Sequence, residues 1–253
     1  MFKEVKAFIK SKDKRILLAI YAAPALAAMS IVLITVPMIQ NGMRGQGITS
    51  AANSSADIVV GQETMTENTA NQSLYGKTLY FSNGVYSDGT RLFVADTYNH
   101  RVLIYNTIPT SNGASADVVI GQADMTSGSA NRGGSAGANT LYYPSDVYSD
   151  GTRLFVADRK NNRVLIYNTI PTSNGASADV VIGQANMTSN TANRGGDVGA
   201  NTLYYPMGVY SNGTRLFVTD HYNHRVLIYN TIPTSNGASA DVVIGQADRK
   251  SVV

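Results

Sequence analysis

Apolar residues beyond residue 55 fall in short runs that recur along the chain. The stretch RVLIYNTIPTSNGASADVVIGQA begins at residue 101 and returns unchanged at residues 163 and 225, which gives a repeat period of 62 residues. In the second unit, the runs DVYS, TRLFVAD, RVLIYN and ADVVIGQ each have the length and composition of a β-strand. No stretch beyond residue 55 has the 3.6-residue period of a helix. The pattern predicts four antiparallel strands in each unit.

A turn signal separates the first two runs of each unit. The pairs Asp88-Gly89, Asp150-Gly151 and Asn212-Gly213 each stand between two apolar stretches. Such pairs favour a two-residue hairpin turn in which both central residues have positive φ, a conformation that Asp, Asn and Gly tolerate best. We therefore expect a hairpin at each pair, with positive φ at both of its residues.

Tandem four-stranded units predict an all-β fold of β-propeller blades rather than a sandwich or a β-helix. A lone fourth strand over Ala56–Gln62 precedes three complete units, and the last unit has its own fourth strand, Ala240–Gln246. A closed propeller needs about four to eight blades. We therefore expect an open arc of three blades from a longer propeller. After Asp248 the repeat predicts Met-Thr-Ser, but the chain reads Arg-Lys-Ser, so we expect residues 248–253 to be a non-native tail.

The N-terminal segment has the pattern of a membrane anchor. Residues 1–15 are basic, residues 16–39 carry no charge, and residues 40–55 form a polar linker. As a helix, residues 16–39 would extend about 36 Å, enough to cross a bilayer core of about 30 Å. The positive-inside rule places residue 1 in the cytoplasm and the repeats outside. The alternative is a signal peptide cleaved at Ala23-Pro24-Ala25 or shortly after it, which would give a secreted protein.

The units also resemble a known repeat family. The stretches PSDVYSDGTRLFVADRKNNRVLIYN and PMGVYSNGTRLFVTDHYNHRVLIYN are similar to NHL repeats, whose pattern is Pro-x-Gly-Val, a turn, then Val-x-Asp-x-x-Asn-x-Arg-Val. The second unit departs from this pattern at Asp146 and Asn162. The resemblance covers residues 56–247 and implies a propeller. NHL propellers include protein-binding and RNA-binding platforms and a few lyases, so the resemblance leaves the activity open.

Each unit has Asp, Asn and Arg around the turn between its second and third strands. These residues could form a charged site, or each set could tie its own turn, with Asp accepting backbone N–H groups and Arg closing over it. We expect the second arrangement because the set recurs in every unit. The sets are Asp96, Asn99 and Arg101; Asp158, Asn161 and Arg163; and Asp220, Asn223 and Arg225.

Composition narrows the choice of ligands. The chain has no Cys, and all three histidines lie in the turns between strands two and three; His100 and His224 occupy equivalent positions in different units, so they would not converge on one ion. We expect neither a metal nor a cofactor. The net charge of +3 arises at the termini: residues 1–15 carry six basic and two acidic residues and Arg249-Lys250 add two more, which leaves residues 16–248 at −3. We therefore expect no nucleic-acid partner.

Differences between the units concentrate on one face. Antiparallel order puts the turn between strands two and three on the same face as the linker between units, and most substitutions lie there. We expect a binding platform for a protein or glycan, although neutral drift would give the same pattern. The alternative is a lyase or hydrolase that uses the central channel and has its catalytic residues in blades missing from this chain. No His precedes a first strand here, so a binding function is favoured over an enzyme. The candidate binding residues are Thr97, Tyr98, Arg159, Lys160, His221 and Tyr222, with Asn83, Ser145, Asp146 and Met207 at the channel mouth.

Overall fold

A computed structural model of the chain describes residues 10–11, 14–15, 56–70 and 74–246. Strands β1 (Lys10–Ser11) and β2 (Lys14–Arg15) form an antiparallel pair by themselves. Every other described strand belongs to one of three four-stranded antiparallel sheets. The prediction of an all-β fold with three four-stranded units is confirmed.

The three sheets repeat one design. Sheet 1 consists of β3 (Val85–Ser87), β4 (Leu92–Asp96), β5 (Arg101–Tyr105) and β6 (Val118–Ile120). Sheet 2 consists of β7 (Pro144–Ser149), β8 (Leu154–Asp158), β9 (Arg163–Tyr167) and β10 (Val180–Ile182). Sheet 3 consists of β11 (Pro206–Ser211), β12 (Leu216–Asp220), β13 (Arg225–Tyr229) and β14 (Val242–Ile244). The strands lie side by side in chain order, as in propeller blades.

Short 3₁₀ helices connect strands two and three of each sheet and also occur in two linkers. Those between strands cover Thr97–Asn99, Arg159–Asn161 and His221–Asn223, and each ends at a residue in the left-handed conformation. Those in the linkers cover Ala130–Gly133 and Ala192–Gly195. Antiparallel order places both kinds of connection at the same ends of the strands, as the alternation of strand directions predicts.

The predicted hairpins form, but with a different turn. Only the glycine of each pair has positive φ, about 90° at Gly89, Gly151 and Gly213. In sheet 2, the side chain of Asp150 stabilises the turn: its Oδ1 accepts hydrogen bonds from the backbone N–H groups of Thr152 and Arg153. The expectation of positive φ at both residues is therefore wrong: one glycine already reverses the chain, and the carboxylate satisfies the remaining donors.

The predicted strand over Ala56–Gln62 is absent from the structure. Val59 nevertheless has the contacts of a fourth strand: its N–H donates to Asn112 Oδ1 (2.9 Å), and its C=O accepts from the Gly113 N–H (3.3 Å). Val119 of β6 makes the same two contacts with Asn174 and Gly175. The segment therefore lies where a fourth strand would lie, but it is not a strand because no described strand pairs with it.

The core lies between neighbouring sheets. Sheets 1 and 2 pack face to face through Phe93, Val102 and Ile104 on one side and Val147, Leu165 and Tyr167 on the other. The equivalent residues join sheets 2 and 3: Phe155, Val164 and Ile166 against Val209, Leu227 and Tyr229. Each repeat thus buries its apolar faces against its neighbours, which is the energetic basis of repeat proteins.

Several sequence predictions lie outside the described residues. These are the anchor over residues 16–39, the linker over 40–55, the tail over 248–253 and most of the basic segment over 1–15. Within the part of the chain that the structure describes, no helix is long and apolar enough to span a bilayer.

Candidate functional site

The Asp, Asn and Arg of each turn form one buried cluster. In sheet 2, Asp158 Oδ1 accepts the Tyr142 N–H (2.7 Å), and its Oδ2 accepts from Asn161 Nδ2 and Arg163 Nε, each at 2.8 Å. The side chains of Asp158 and Arg163 have no solvent exposure. Sheets 1 and 3 repeat the arrangement around Asp96 and Asp220.

Each arginine reaches beyond its own turn. Arg163 donates from Nη2 to the carbonyls of Gly137 and Thr140, each at 2.9 Å, in the linker before sheet 2, and from Nη1 to the Met187 carbonyl in the linker after it. Burial raises the pKa of Asp158, and the Arg163 charge opposes that rise. The carboxylate accepts three hydrogen bonds from N–H groups, so the ionised form fits the site. The cluster therefore holds the linkers in place and offers no group to a ligand.

The candidate binding residues divide into interior and surface groups. Thr97 and Ser145 are buried, and their hydroxyls donate to the carbonyls of Pro144 (2.8 Å) and Pro206 (3.0 Å) at the start of the next sheet. Asp146 accepts the N–H of Val209 at 2.9 Å. These three residues join neighbouring repeats. Arg159 and Met207 are half-buried, and the exposed residues are Asn83, Tyr98, Lys160, His221 and Tyr222.

A continuous row of side chains, called here the aromatic belt, runs across all three repeats on this face. It consists of Phe81, Tyr98, Tyr143, Arg159, Tyr205 and Tyr222. The ring centroids of Phe81 and Tyr98 are 4.8 Å apart, those of Tyr98 and Tyr143 4.9 Å, and those of Tyr205 and Tyr222 4.7 Å. Arg159 Cζ lies between two rings, 5.7 Å from the Tyr143 centroid and 6.0 Å from that of Tyr205.

Three belt residues have an unfavourable backbone conformation. Phe81, Tyr143 and Tyr205 occupy equivalent positions before the first strand of each sheet, with φ of 46°, 52° and 58°. Bulky side chains rarely adopt positive φ, and such strain costs about 1–3 kcal/mol and concentrates at functional sites. A residue of the preceding repeat holds two of these backbones: the Tyr143 N–H donates to His100 Nδ1 (3.1 Å) and the Tyr205 N–H to Asn162 Oδ1 (3.0 Å).

The belt is partly open to solvent and carries positive charge near its centre. Phe81 is 67% exposed, Tyr98 40% and Tyr222 48%. Lys160 Nζ lies 5.1 Å from the Tyr205 centroid, and a hydrogen bond with Tyr205 raises the pKa of this ammonium group above its ordinary value. The Arg159 Nε is buried without a hydrogen-bond acceptor among the described residues. Sequence reasoning found Tyr98, Arg159 and Tyr222 but missed Phe81, Tyr143 and Tyr205, although an aromatic residue recurs there with the 62-residue period.

A second row of rings lies on the first strands. Tyr86 and Tyr148 meet at a tilt with centroids 4.4 Å apart, and Tyr148 and Tyr210 meet edge to face with centroids 4.9 Å apart. With the hairpin turns, these rings line a shallow cavity of about 370 Å³. Asp88 and Asp150, which also line it, each pair with an arginine three residues later. Burial raises the pKa of the Tyr148 hydroxyl, and its hydrogen bond with Tyr86 adds to that rise. These tyrosines were not among the predicted site residues.

Comparison with known proteins does not extend this description: no protein-family model matches the chain, and no curated protein matches it. The NHL resemblance therefore stays a prediction. In the described part of the chain, no group of three or more His, Asp or Glu residues is placed to hold a metal ion. The aromatic belt is the strongest candidate for a functional surface.

Proposed function

We propose that this chain is a binding protein whose NHL-like β-propeller blades present the aromatic belt to a protein or glycan. The observation that supports this most is the belt itself, with its three strained aromatic residues. Tyrosine and arginine dominate the energetic centres of interfaces because they bury large areas with little loss of side-chain entropy. Strained backbones that serve no purpose would be replaced by Gly or Asn at small cost.

The proposed location is extracytoplasmic, with the protein held to the membrane by residues 16–39. The uncharged run and the basic residues before it support the proposal. A C-terminally tagged chain should appear at full mass in the membrane fraction and be digested by protease added outside the cells. A soluble product shortened near Ala27 would favour secretion instead, and intact protein in the cytosol would contradict both locations.

The binding proposal is tested by affinity capture from cell-surface extract. The full chain is immobilised, and bound proteins and sugars are identified by mass spectrometry and sugar analysis. Combined Tyr98→Ala, Arg159→Ala and Tyr222→Ala changes should abolish the specific capture. The matched control carries Thr110→Ala, Thr172→Ala and Thr234→Ala, which alter three exposed loop residues on the opposite face. If the belt variant and the wild type capture the same material, the belt is not the binding surface.

A further inference from the structure

We infer that the aromatic belt binds an acidic polysaccharide, with Arg159 pairing a carboxylate of the sugar chain while neighbouring tyrosine rings stack on its sugar units. This inference rests on the proposed binding function and specifies its ligand. It depends on three observations: the available donors of Arg159, the arrangement of the rings on either side, and the absence of an accessible strand edge along the belt.

Arg159 is placed for an anion that the protein does not supply. A guanidinium has five N–H donors. Among the described residues, the one hydrogen bond of Arg159 runs from Nη1 to the weakly accepting Met207 Sδ, at 4.0 Å. Arg101, Arg163 and Arg225 instead use their donors on aspartate and backbone carbonyls. The rings of Tyr143 and Tyr205 flank the Arg159 group. Its Nε is buried, so the two Nη groups are the donors that match a carboxylate in a bidentate pair.

The rings beside Arg159 suit a chain of sugar units. Tyr98 and Tyr143 lie on one side, and Tyr205 and Tyr222 lie on the other. The faces of a pyranose ring expose C–H groups, which pack on the negative face of an aromatic ring. A belt that repeats an aromatic residue in each unit therefore offers successive contacts to a polymer with repeated rings. Lys160 adds a second cation close to the Arg159 position.

The same surface is poorly suited to a peptide or a nucleic acid. Peptides commonly add a strand to an exposed edge, which requires free backbone groups. Here the N–H groups of Tyr98, Lys160 and Tyr222 already donate to the carbonyls of Tyr80, Tyr142 and Tyr204. Single-stranded RNA would also stack on the rings, but non-specific binding of single strands uses a basic groove that follows the phosphate backbone, whereas the belt places its cations, Arg159 and Lys160, close together near its centre.

The test is calorimetric titration of the full chain with polygalacturonate. The matched probe is the same polymer with its carboxylates reduced to hydroxymethyl groups. Wild type should bind polygalacturonate, and its affinity should fall as the salt concentration rises. Its affinity for the reduced polymer should be at least tenfold lower than for polygalacturonate. Arg159→Gln should weaken binding of the acidic polymer roughly ten- to hundredfold, since hydrogen bonds to charged groups contribute that much.

Two further variants separate binding from folding. Tyr143→Asn removes a ring but keeps a residue that tolerates positive φ, so it should fold normally and lose affinity. Arg215→Gln removes the same charge from an exposed hairpin residue on the opposite face and should bind as wild type. Circular dichroism checks that each variant is folded.

Three outcomes would overturn the inference. Equal affinity for the reduced polymer would mean that the carboxylate is not recognised. Tighter binding of poly(U) than of polygalacturonate would identify a nucleic-acid surface. If no polymer binds while the belt variant still loses a captured protein, the binding function stands and the ligand class assigned here is wrong.

Discussion

His100 and Asn162 occupy equivalent positions in successive repeats, and both accept the same backbone hydrogen bond although one is an imidazole and the other an amide. Both have left-handed backbones, with φ of 53° and 51°, and each accepts the N–H of the strained tyrosine at the start of the next sheet. Only the histidine titrates. Burial lowers the pKa of His100 from 6.5 to about 4, because the charged imidazole would lose hydration.

We expect this residue to make folding depend on pH. Above pH 6.5, His100 is neutral in both the folded and the unfolded chain, and its full contribution to folding stability is present. As the pH falls from 6.5 towards 4, the unfolded chain takes up a proton that the folded chain does not, so stability decreases by about 1.4 kcal/mol per pH unit. Urea unfolding of the full chain at a series of pH values measures this slope.

His100→Asn provides the matched control for that slope, because it copies the contact already present at Asn162. The variant should be as stable as wild type at pH 7 and lose less stability between pH 6.5 and 4. Parallel curves for the two proteins would show that His100 does not titrate in this range. Acidic residues such as Asp96 affect both curves equally and cancel in the comparison.

Among the elements, the long loops between strands three and four have a role that their constant sequence did not reveal. Each loop contacts the fourth strand of the preceding repeat through one asparagine and the glycine that follows it. The Val119 N–H donates to Asn174 Oδ1, and the Gly175 N–H donates to the Val119 carbonyl; Asn236 and Gly237 contact Val181 in the same way. These asparagines therefore join neighbouring repeats.

Asn174→Ala should destabilise the chain by about 1–2 kcal/mol, because the N–H of the buried Val119 loses its acceptor. Asn112→Ala is the comparison, since its partner Val59 lies in an exposed bond where water can replace the amide. We expect a loss there below about 0.5 kcal/mol. Urea unfolding gives both values, and equal losses would mean that burial of this bond is not what matters.

At the scale of the whole repeat array, the last sheet has an uncovered face. Val242 and Ile244 are 44% and 54% exposed, whereas the equivalent Val180 and Ile182 of sheet 2 are 3% and 0% exposed beneath sheet 3. At the other end, Val85 is 67% exposed and its equivalent Val147 is 1% exposed. Each end therefore presents apolar groups of the kind that pack together inside the array, and exposed surfaces of this kind promote association.

We expect the full chain to self-associate through these faces and Ile244→Lys to reduce that association, because burying an unpaired ammonium group is costly. Light scattering after size-exclusion chromatography measures the mass over a range of concentrations. Thr234→Lys adds the same charge to an exposed loop of the same repeat and should leave the mass unchanged. A monomer at all concentrations would contradict the expectation, as would equal effects of the two substitutions.

The sequence alone determined the features that depend on local patterns. The 62-residue period, the alternating runs and the Asp-Gly or Asn-Gly pairs predicted the three sheets and their hairpins, because strand pairing between neighbours follows from short turns. The Asp, Asn and Arg of each turn were predictable for the same reason. Asp158, Asn161 and Arg163 lie within six residues of one another, so one turn suffices to bring them together.

Only the tertiary structure decided which surface residues are available and what holds them. Thr97 and Ser145 looked accessible in the sequence, but their hydroxyls bond to the next sheet, 47 and 61 residues away. The N–H of Tyr143, a residue with positive φ, donates to His100, 43 residues earlier, and the belt forms where linkers and turns of adjacent repeats meet. Side-chain periodicity records which face of a strand is buried. It contains no information about the packing between repeats, which places a ring beside a cation from another part of the chain.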